Sequence, residues 1–137
     1  MAQSMRSSLG KVRGQGAGHA GTSHFIGQRV SAVALLILGP WFVINAAFSM
    51  RHTDYTGANP AYAAAIDFLS EPLNAIGVML FVIAGLYHMR IGMQEVVVDY
   101  IHRPLTKNLL LVGNTLLCFA LAAAAIYAVL HVNFGAP

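Results

Sequence analysis

The amino-acid sequence predicts an all-α integral membrane protein with three transmembrane helices. Of its 137 residues, 57% are hydrophobic and only 9% are charged, whereas soluble domains carry about 25% charged residues. The apolar residues also gather in three runs, each close to the roughly 20 residues that a helix needs to cross a bilayer. With so few charges the chain cannot cover a soluble globule, and its length suits one compact unit.

The first apolar run covers residues 30–50 and begins directly after Arg29, which we expect at headgroup depth. Pro40 lies inside this run and predicts a kink, because proline cannot donate the backbone hydrogen bond of a helix interior. Trp41 lies too centrally in the run for a simple interface anchor. The run therefore predicts one spanning helix that bends near its middle.

Two further runs cover residues 73–98 and 109–132. Between the first and second runs, residues 61–70 predict a short helix at the membrane interface. A short basic connection that contains Pro104 separates the second and third runs, and helices usually end before a proline. Three spans place the two termini on opposite sides of the membrane.

The distribution of basic residues predicts the orientation, because lysine and arginine are enriched in cytoplasmic segments. Six of them lie before the first span or in the second connection, against Arg51 alone in the first connection; the six are Arg6, Lys11, Arg13, Arg29, Arg103 and Lys107. We therefore expect a cytoplasmic N-terminus and a periplasmic C-terminus. Residues 1–23 are expected to form a flexible basic segment without the apolar region of a secretory signal peptide, and residues 24–137 the membrane anchor.

The composition also excludes several kinds of site. Cys118 is the only cysteine, which excludes an internal disulfide and any cysteine-based zinc or iron–sulfur centre. The basic residues are dispersed, without the basic and aromatic surface typical of nucleic-acid binding. The net charge of +3 therefore reflects membrane topology, and no nucleic-acid partner is expected.

His88 is the one histidine of six that lies well inside an apolar run, and ionisable residues inside a membrane span usually mark function. Asp99 follows eleven residues later, which is about three helical turns, so the two residues share a face with Gly92 between them. Ala84 and Gly85 precede His88 by one turn. Small residues around an imidazole let a flat macrocycle approach the backbone, although they suit close helix packing equally well.

Three roles for His88 stay open on this pattern. Neutral imidazole commonly ligates haem iron in b-type cytochromes. The alternatives are an interhelical hydrogen bond without any ligand, and a proton relay. Because no second histidine lies at comparable depth, a six-coordinate bis-histidine haem would take its other ligand from another polypeptide.

Asp99 and Tyr100 end the second span at the predicted cytoplasmic interface. Each has an ordinary explanation, as a solvated carboxylate and as a residue of the interfacial aromatic belt. Together they form a candidate site for a quinone. A phenol can donate a hydrogen bond to a quinone carbonyl, while a carboxylate orients that donor or passes protons.

Cationic groups near the same membrane level are candidates to pair with haem propionates. Arg29 and His24 lie there, at the start of the first span. Arg90 either extends towards the headgroups or pairs with a propionate. Glu95 could pair with Arg90, although a spacing of five residues is poor on a helix.

The run from His88 to Tyr100 resembles the H-x-x-x-G-x-x-x-V-x-x-D-Y signature of the smaller membrane-anchor subunit of succinate dehydrogenase, or respiratory complex II. Residues 24–32 are similar to the family's pattern before its first helix. The three spans, the predicted orientation and the chain length agree with this resemblance, which covers nearly the whole chain after about residue 20. The chain lacks the S-x-x-x-R and H-R-x-[ST]-G patterns of the larger anchor subunit.

The resemblance implies that His88 is an axial ligand of haem b and that the larger cytochrome b anchor subunit supplies the other ligand. It implies that Tyr100 donates a hydrogen bond to ubiquinone, with Asp99 beside it. Arg29 would serve the haem propionates or the quinone site, and His24, a weaker match, a propionate.

The resemblance also implies the partners and the place in metabolism. A flavoprotein subunit would oxidise succinate, and an iron–sulfur subunit would carry the electrons to quinone, linking the tricarboxylic acid cycle to the respiratory chain. This chain would anchor both subunits in the bacterial cytoplasmic membrane, among its lipids, without itself catalysing succinate oxidation.

Other classes of membrane protein fit parts of the pattern. The haem b anchors of hydrogenases and formate dehydrogenases generally carry both haem ligands in one longer chain, and a single deep histidine argues against them. A haem-free small transporter or proton-conducting oligomer would use His88 and Glu95, with a water-lined path to both faces. A structural assembly subunit would use His88 for a hydrogen bond alone and would bind no haem.

Overall fold

The computed structural model of the protein describes residues 20–52 and 59–135, and these residues form four helices and no strand. The helices are α1 (Ala20–His52), α2 (Pro60–Ser70), α3 (Pro72–Tyr100) and α4 (Pro104–Phe134). Three of them, α1, α3 and α4, are long and apolar enough to cross a membrane. The predicted all-α, three-span fold is confirmed. Most of the predicted N-terminal segment, up to residue 19, lies outside the described residues.

All three long helices extend beyond the apolar runs that predicted them, because their ends include polar turns. Helices α2, α3 and α4 each begin at a proline, a residue favoured in the first helical turn because its missing N–H would have no partner there. Helix α3 ends where Ile101 adopts an extended conformation. Its 29 residues correspond to about 43 Å, more than the roughly 30 Å of the hydrocarbon layer.

The three long helices form an antiparallel bundle in chain order, with α3 packed between α1 and α4. Contacts between α1 and α3 join the start of one helix to the end of the other, as in the pair His24 and Glu95. At the same end of the bundle, Lys107 near the start of α4 reaches Val98 near the end of α3. We call this end, where α1 and α4 begin and α3 finishes, the Tyr100 end.

Small residues of one helix accommodate large rings of the other at the α1–α3 interface. The Trp41 ring packs directly over the buried Gly77, where even a methyl group would overlap it. Gly39 lies beside the Phe81 ring with enough space for a methyl group, and the Phe42 and Phe81 rings stack with centroids 5.4 Å apart. Trp41 is therefore a packing residue, which explains its central position in the span.

The short helix α2 packs beneath the ends of the bundle remote from Tyr100. Its Phe68 is buried and meets the Phe42 ring edge-on at 6.2 Å. The side-chain amide of Asn133 on α4 donates to the carbonyls of Leu69 and Val129, at 2.7 and 3.1 Å. These contacts confirm the helix predicted over residues 61–70 and fix it against the other three.

Most large apolar side chains of the bundle are exposed, and the buried core consists of a few residues, Ala64, Phe68, Ala75, Ile91, Val97, Cys118 and Val129. Lipid tails or neighbouring membrane subunits can cover such a surface. Cys118 is one of these buried packing residues and is a free cysteine.

We expect Gly77→Ala to destabilise the bundle, because the added methyl group meets the Trp41 ring. Overpacking of this kind costs about 1–3 kcal/mol. Unfolding in detergent, followed by circular dichroism, measures the effect. Gly113→Ala is the matched control, since it adds a methyl group to a long helix with nothing within 4 Å; equal stability of the two variants would contradict the packing described.

Candidate functional site

His88 lies half-buried at the α1–α3 interface, where its imidazole contacts Ser31. The His88 Nδ1 atom and the Ser31 hydroxyl oxygen are 3.0 Å apart. Ser31 is only 4% exposed and is the one buried polar residue among those described. The predicted interhelical hydrogen bond of His88 is thus present, and it occupies only one ring nitrogen.

The second ring nitrogen of His88, Nε2, is available for another interaction. It has no hydrogen-bond partner within the described part of the chain, and it is not among the buried polar atoms that lack one. It therefore keeps accessible surface. A half-buried imidazole with one nitrogen held and the other free has the arrangement seen in metal-ligating histidines.

An open apolar groove of about 850 Å³ runs between α1 and α3 beside this pair. Small residues from both helices, Gly27, Ser31, Ala34 and Ala84, contribute to its wall, together with the larger Tyr87. The Tyr87 hydroxyl lies close against Gly27, so that glycine allows the ring to pack there. His88 itself does not line the groove, but its hydrogen-bond partner Ser31 and its chain neighbour Tyr87 do, so a flat apolar molecule in the groove would lie close to these helix backbones.

Within residues 20–52 and 59–135, no group of three or more histidine, cysteine, aspartate or glutamate side chains could hold a metal ion. A metal bound through His88 would therefore need further ligands from outside this part of the chain. A macrocycle that brings its own four nitrogens requires only axial ligands.

His24 and Glu95 join α1 to α3 at the Tyr100 end, with His24 Nδ1 2.9 Å from a Glu95 carboxylate oxygen. The other ring nitrogen of His24 is enclosed and has no hydrogen-bond partner among the described residues. The same is true of the side-chain oxygen of Gln28, one turn later. Neither His24 nitrogen is thus exposed for a propionate in this conformation. Glu95 is paired with α1 and not with Arg90.

Arg90 faces α4, on the side of α3 away from Ser31. Its Nε donates to the Thr115 hydroxyl at 3.3 Å, and the Asn114 side-chain amide donates to the Arg90 carbonyl at 3.0 Å. The predicted contact of Arg90 with Glu95 is absent, because the five-residue spacing turns the two side chains towards different neighbouring helices. Arg90 is instead part of the α3–α4 interface.

Arg29 is exposed near the start of α1, and its guanidinium lies over the Phe25 ring, 5.0 Å from the ring centroid. No carboxylate of the described residues lies within ion-pair distance of it. This leaves the guanidinium free to meet an anionic group from outside the chain.

Asp99 and Tyr100 are exposed in the last turn of α3, and Tyr100 is 75% exposed. Lys107 holds this turn in place, because its ammonium group donates to the Val98 carbonyl at 3.1 Å. The last carbonyls of a helix lack intrahelical partners and attract cations. The rise of a helix separates Tyr100 from His88 by about 18 Å along α3, so the two predicted sites are distinct.

Sequence reasoning missed Ser31, Asn114, Thr115 and Lys107. Each is a polar residue in or beside an apolar run, and a buried polar side chain in a membrane helix usually has a partner. The sequence alone therefore indicates that these polar residues have partners. It does not identify each partner, because that depends on how neighbouring helices are rotated.

The fold and these contacts define a class: a three-span helical membrane protein with one accessible histidine at a helix interface and a large apolar surface. The succinate dehydrogenase/fumarate reductase transmembrane subunit model matches residues 3–130, and the chain belongs to that family. This confirms the resemblance found in the sequence.

Relatives from bacteria cover almost the whole chain. A "succinate dehydrogenase hydrophobic membrane anchor subunit" of Paracoccus denitrificans is 32% identical over 125 residues, 91% of this chain and 90% of the relative. One of the same name from Rickettsia bellii is 28% identical over 131 residues, 96% and 98% of the two chains. No solved structure matches. With three spanning helices, the protein is a multi-pass protein of a bacterial inner membrane.

We expect the Arg90–Thr115 contact to contribute a measurable coupling energy to bundle stability. A double-mutant cycle with Arg90→Met and Thr115→Val, read from detergent unfolding, should give about 0.6 kcal/mol and no more than about 1.7. Thr115→Ser is the control, because it keeps the hydroxyl group. A coupling energy of zero, or equal effects of Val and Ser at position 115, would contradict the contact.

Proposed function

We propose that this protein is the smaller membrane-anchor subunit of a succinate dehydrogenase, that it supplies one axial ligand of haem b through His88, and that it completes a quinone site with Tyr100. Membership of the transmembrane subunit family supports the anchor role. The haem assignment depends on the two ring nitrogens of His88: Nδ1 is hydrogen-bonded to Ser31, and Nε2 is accessible.

The residues around His88 fit a haem. The adjoining groove is apolar and lined by small side chains, so a macrocycle could lie close to α1 and α3. Of the two propionate partners that the family resemblance implies, Arg29 is exposed, whereas both nitrogens of His24 are paired or enclosed. Bound haem would supply a one-electron redox centre within the membrane.

The second axial ligand would come from a partner, since His24, the other described histidine at the α1–α3 interface, is paired with Glu95 through one nitrogen and enclosed at the other. We assign it to the larger cytochrome b anchor subunit. The abundance of exposed large apolar side chains on the long helices is consistent with a neighbouring membrane subunit as well as with lipid. The flavoprotein and iron–sulfur subunits would dock at the Tyr100 end, which we predict to be cytoplasmic.

The quinone site would form around Tyr100, which is 75% exposed at the α3 terminus. Its phenol would donate a hydrogen bond to a carbonyl of ubiquinone, and the adjacent Asp99 would orient that donor or deliver protons. Lys107 keeps the last turn of α3 in position through the Val98 carbonyl. The site is open in this chain alone, which suits a pocket completed by other subunits.

The main alternative is a structural assembly role without haem. It requires only the hydrogen bond between His88 and Ser31, and that bond is present. A transporter role has less support, because Glu95, which it would use together with His88, is paired with His24 of α1 at the Tyr100 end.

A reduced-minus-oxidised visible spectrum of the purified complex distinguishes these roles. We expect a b-type α-band in the wild-type complex that is lost or shifted in His88→Ala. His131→Ala is the matched control, because His131 is exposed near the end of α4, where its ring lies beside the Tyr127 ring. An unchanged band in His88→Ala would place both ligands on the partner, and no band in the wild type would favour the structural role.

We expect Tyr100→Phe to lower succinate-dependent quinone reduction by about 100-fold, since loss of a positioned proton donor has effects of that order. Reduction of a water-soluble dye by the succinate-oxidising subunits should be unchanged, because that reaction bypasses the membrane site. Tyr127→Phe, an exposed tyrosine on α4, is the control. A quinone reductase activity of Tyr100→Phe within twofold of the control would exclude the proposed donor.

A further inference from the structure

Ser31 has an unusual set of contacts for a serine in a membrane helix. Its hydroxyl oxygen lies 2.9 Å from the Gly27 carbonyl, 3.0 Å from the Gln28 carbonyl and 3.0 Å from His88 Nδ1. Serines in helices often donate to the carbonyl four residues earlier. Here the same oxygen also bridges to a neighbouring helix.

The Ser31 hydroxyl, the two backbone carbonyls and His88 Nδ1 share a small number of protons. A hydroxyl group has one proton to donate and two lone pairs to accept with. The two backbone carbonyls can only accept, and whether His88 Nδ1 donates or accepts depends on the tautomer of the ring. A bond from His88 to iron needs the lone pair of Nε2, so in the ligating tautomer Nδ1 carries the proton and donates it to the Ser31 oxygen, while the Ser31 proton goes to a backbone carbonyl. In a neutral imidazole this leaves Nε2 unprotonated, with its lone pair available.

We propose that Ser31 is a positioning residue for the haem ligand: it fixes His88 in the tautomer and ring orientation in which Nε2 can bind iron. This inference rests on the proposed function of His88. It adds a residue from α1 to the surroundings of the His88 imidazole, for which the sequence analysis named residues of α3 alone. The helix backbone at Gly27 and Gln28 is thereby linked to the imidazole through one hydroxyl group.

The hydrogen bond also has an electronic effect on the ligand. An acceptor on Nδ1–H raises the basicity of the imidazole at its other nitrogen. A more basic ligand stabilises the oxidised iron, and the haem midpoint potential is lower as a result. Removal of the Ser31 hydroxyl group should therefore shift the potential in the positive direction, while a purely structural serine would leave it unchanged.

The test is a redox titration of the haem in the purified complex, with the α-band as readout, in Ser31→Ala and Ser31→Cys variants. Cysteine keeps the approximate size of serine but is a weak acceptor. We expect the haem midpoint potential to shift in the positive direction in both variants, and further in Ser31→Ala than in Ser31→Cys. Ser31→Thr keeps the hydroxyl group and should restore the wild-type potential. Ser70→Ala is the matched control, because the Ser70 hydroxyl makes the same bond to the fourth preceding carbonyl, Ile66, without a hydrogen bond to a histidine.

A haem potential in Ser31→Ala equal to that of Ser70→Ala overturns the inference. If Ser31→Ala does not retain the haem band, the haem potential of Ser31→Cys is compared with that of Ser70→Ala instead, and equal values overturn the inference. His88→Ala, recorded in parallel, separates the two claims. Loss of the band there with no shift in the Ser31 variants overturns the role of Ser31 alone, whereas an unchanged band in His88→Ala overturns the proposed haem ligand and this inference with it.

Discussion

Polar side chains inside the bundle need hydrogen-bond partners, and this need determines how the long helices meet. An unpaired polar group is costly in an apolar environment. Each of the two contacts between long helices contains a polar pair: Ser31 with His88 between α1 and α3, and Arg90 with Thr115 between α3 and α4. The Asn133 amide makes a similar contact with the short α2 at the other end. These pairs fix the rotation of the helices, while small residues such as Gly77 set their distance.

The same arrangement leaves the chain incomplete in a specific way. The rotation of α3 directs Arg90 to α4 and His88 to α1, so the imidazole lies next to an apolar groove and keeps one nitrogen accessible. Tyr100 and Arg29 are exposed at the same end of the bundle. Exposed apolar side chains along the long helices accompany these groups. A chain with one axial histidine, an open groove and an exposed phenol is best explained as part of a site that other subunits complete.

Much of the fold and part of the site could be predicted from the sequence. Three spans followed from the length of the apolar runs, and the importance of His88 followed from the free-energy cost of an ionisable group in a membrane. The helix ends were less predictable: α4 begins at Pro104, before its apolar run, because polar turns extend past the hydrocarbon layer. The partners of Glu95 and Arg90 could not be predicted, since His24 and Thr115 are brought to them by helix rotation. Periodicity along one helix carries no information on that rotation.

An experimental structure of the assembled complex, determined by cryo-electron microscopy with its haem in place, tests the central claim most directly. The account predicts continuous density from His88 Nε2 to the haem iron, with a histidine of a neighbouring subunit on the opposite face and Ser31 against Nδ1. Two axial ligands from the partner subunit, with His88 in contact with Ser31 alone, would contradict it and leave this protein as an anchor without a haem ligand.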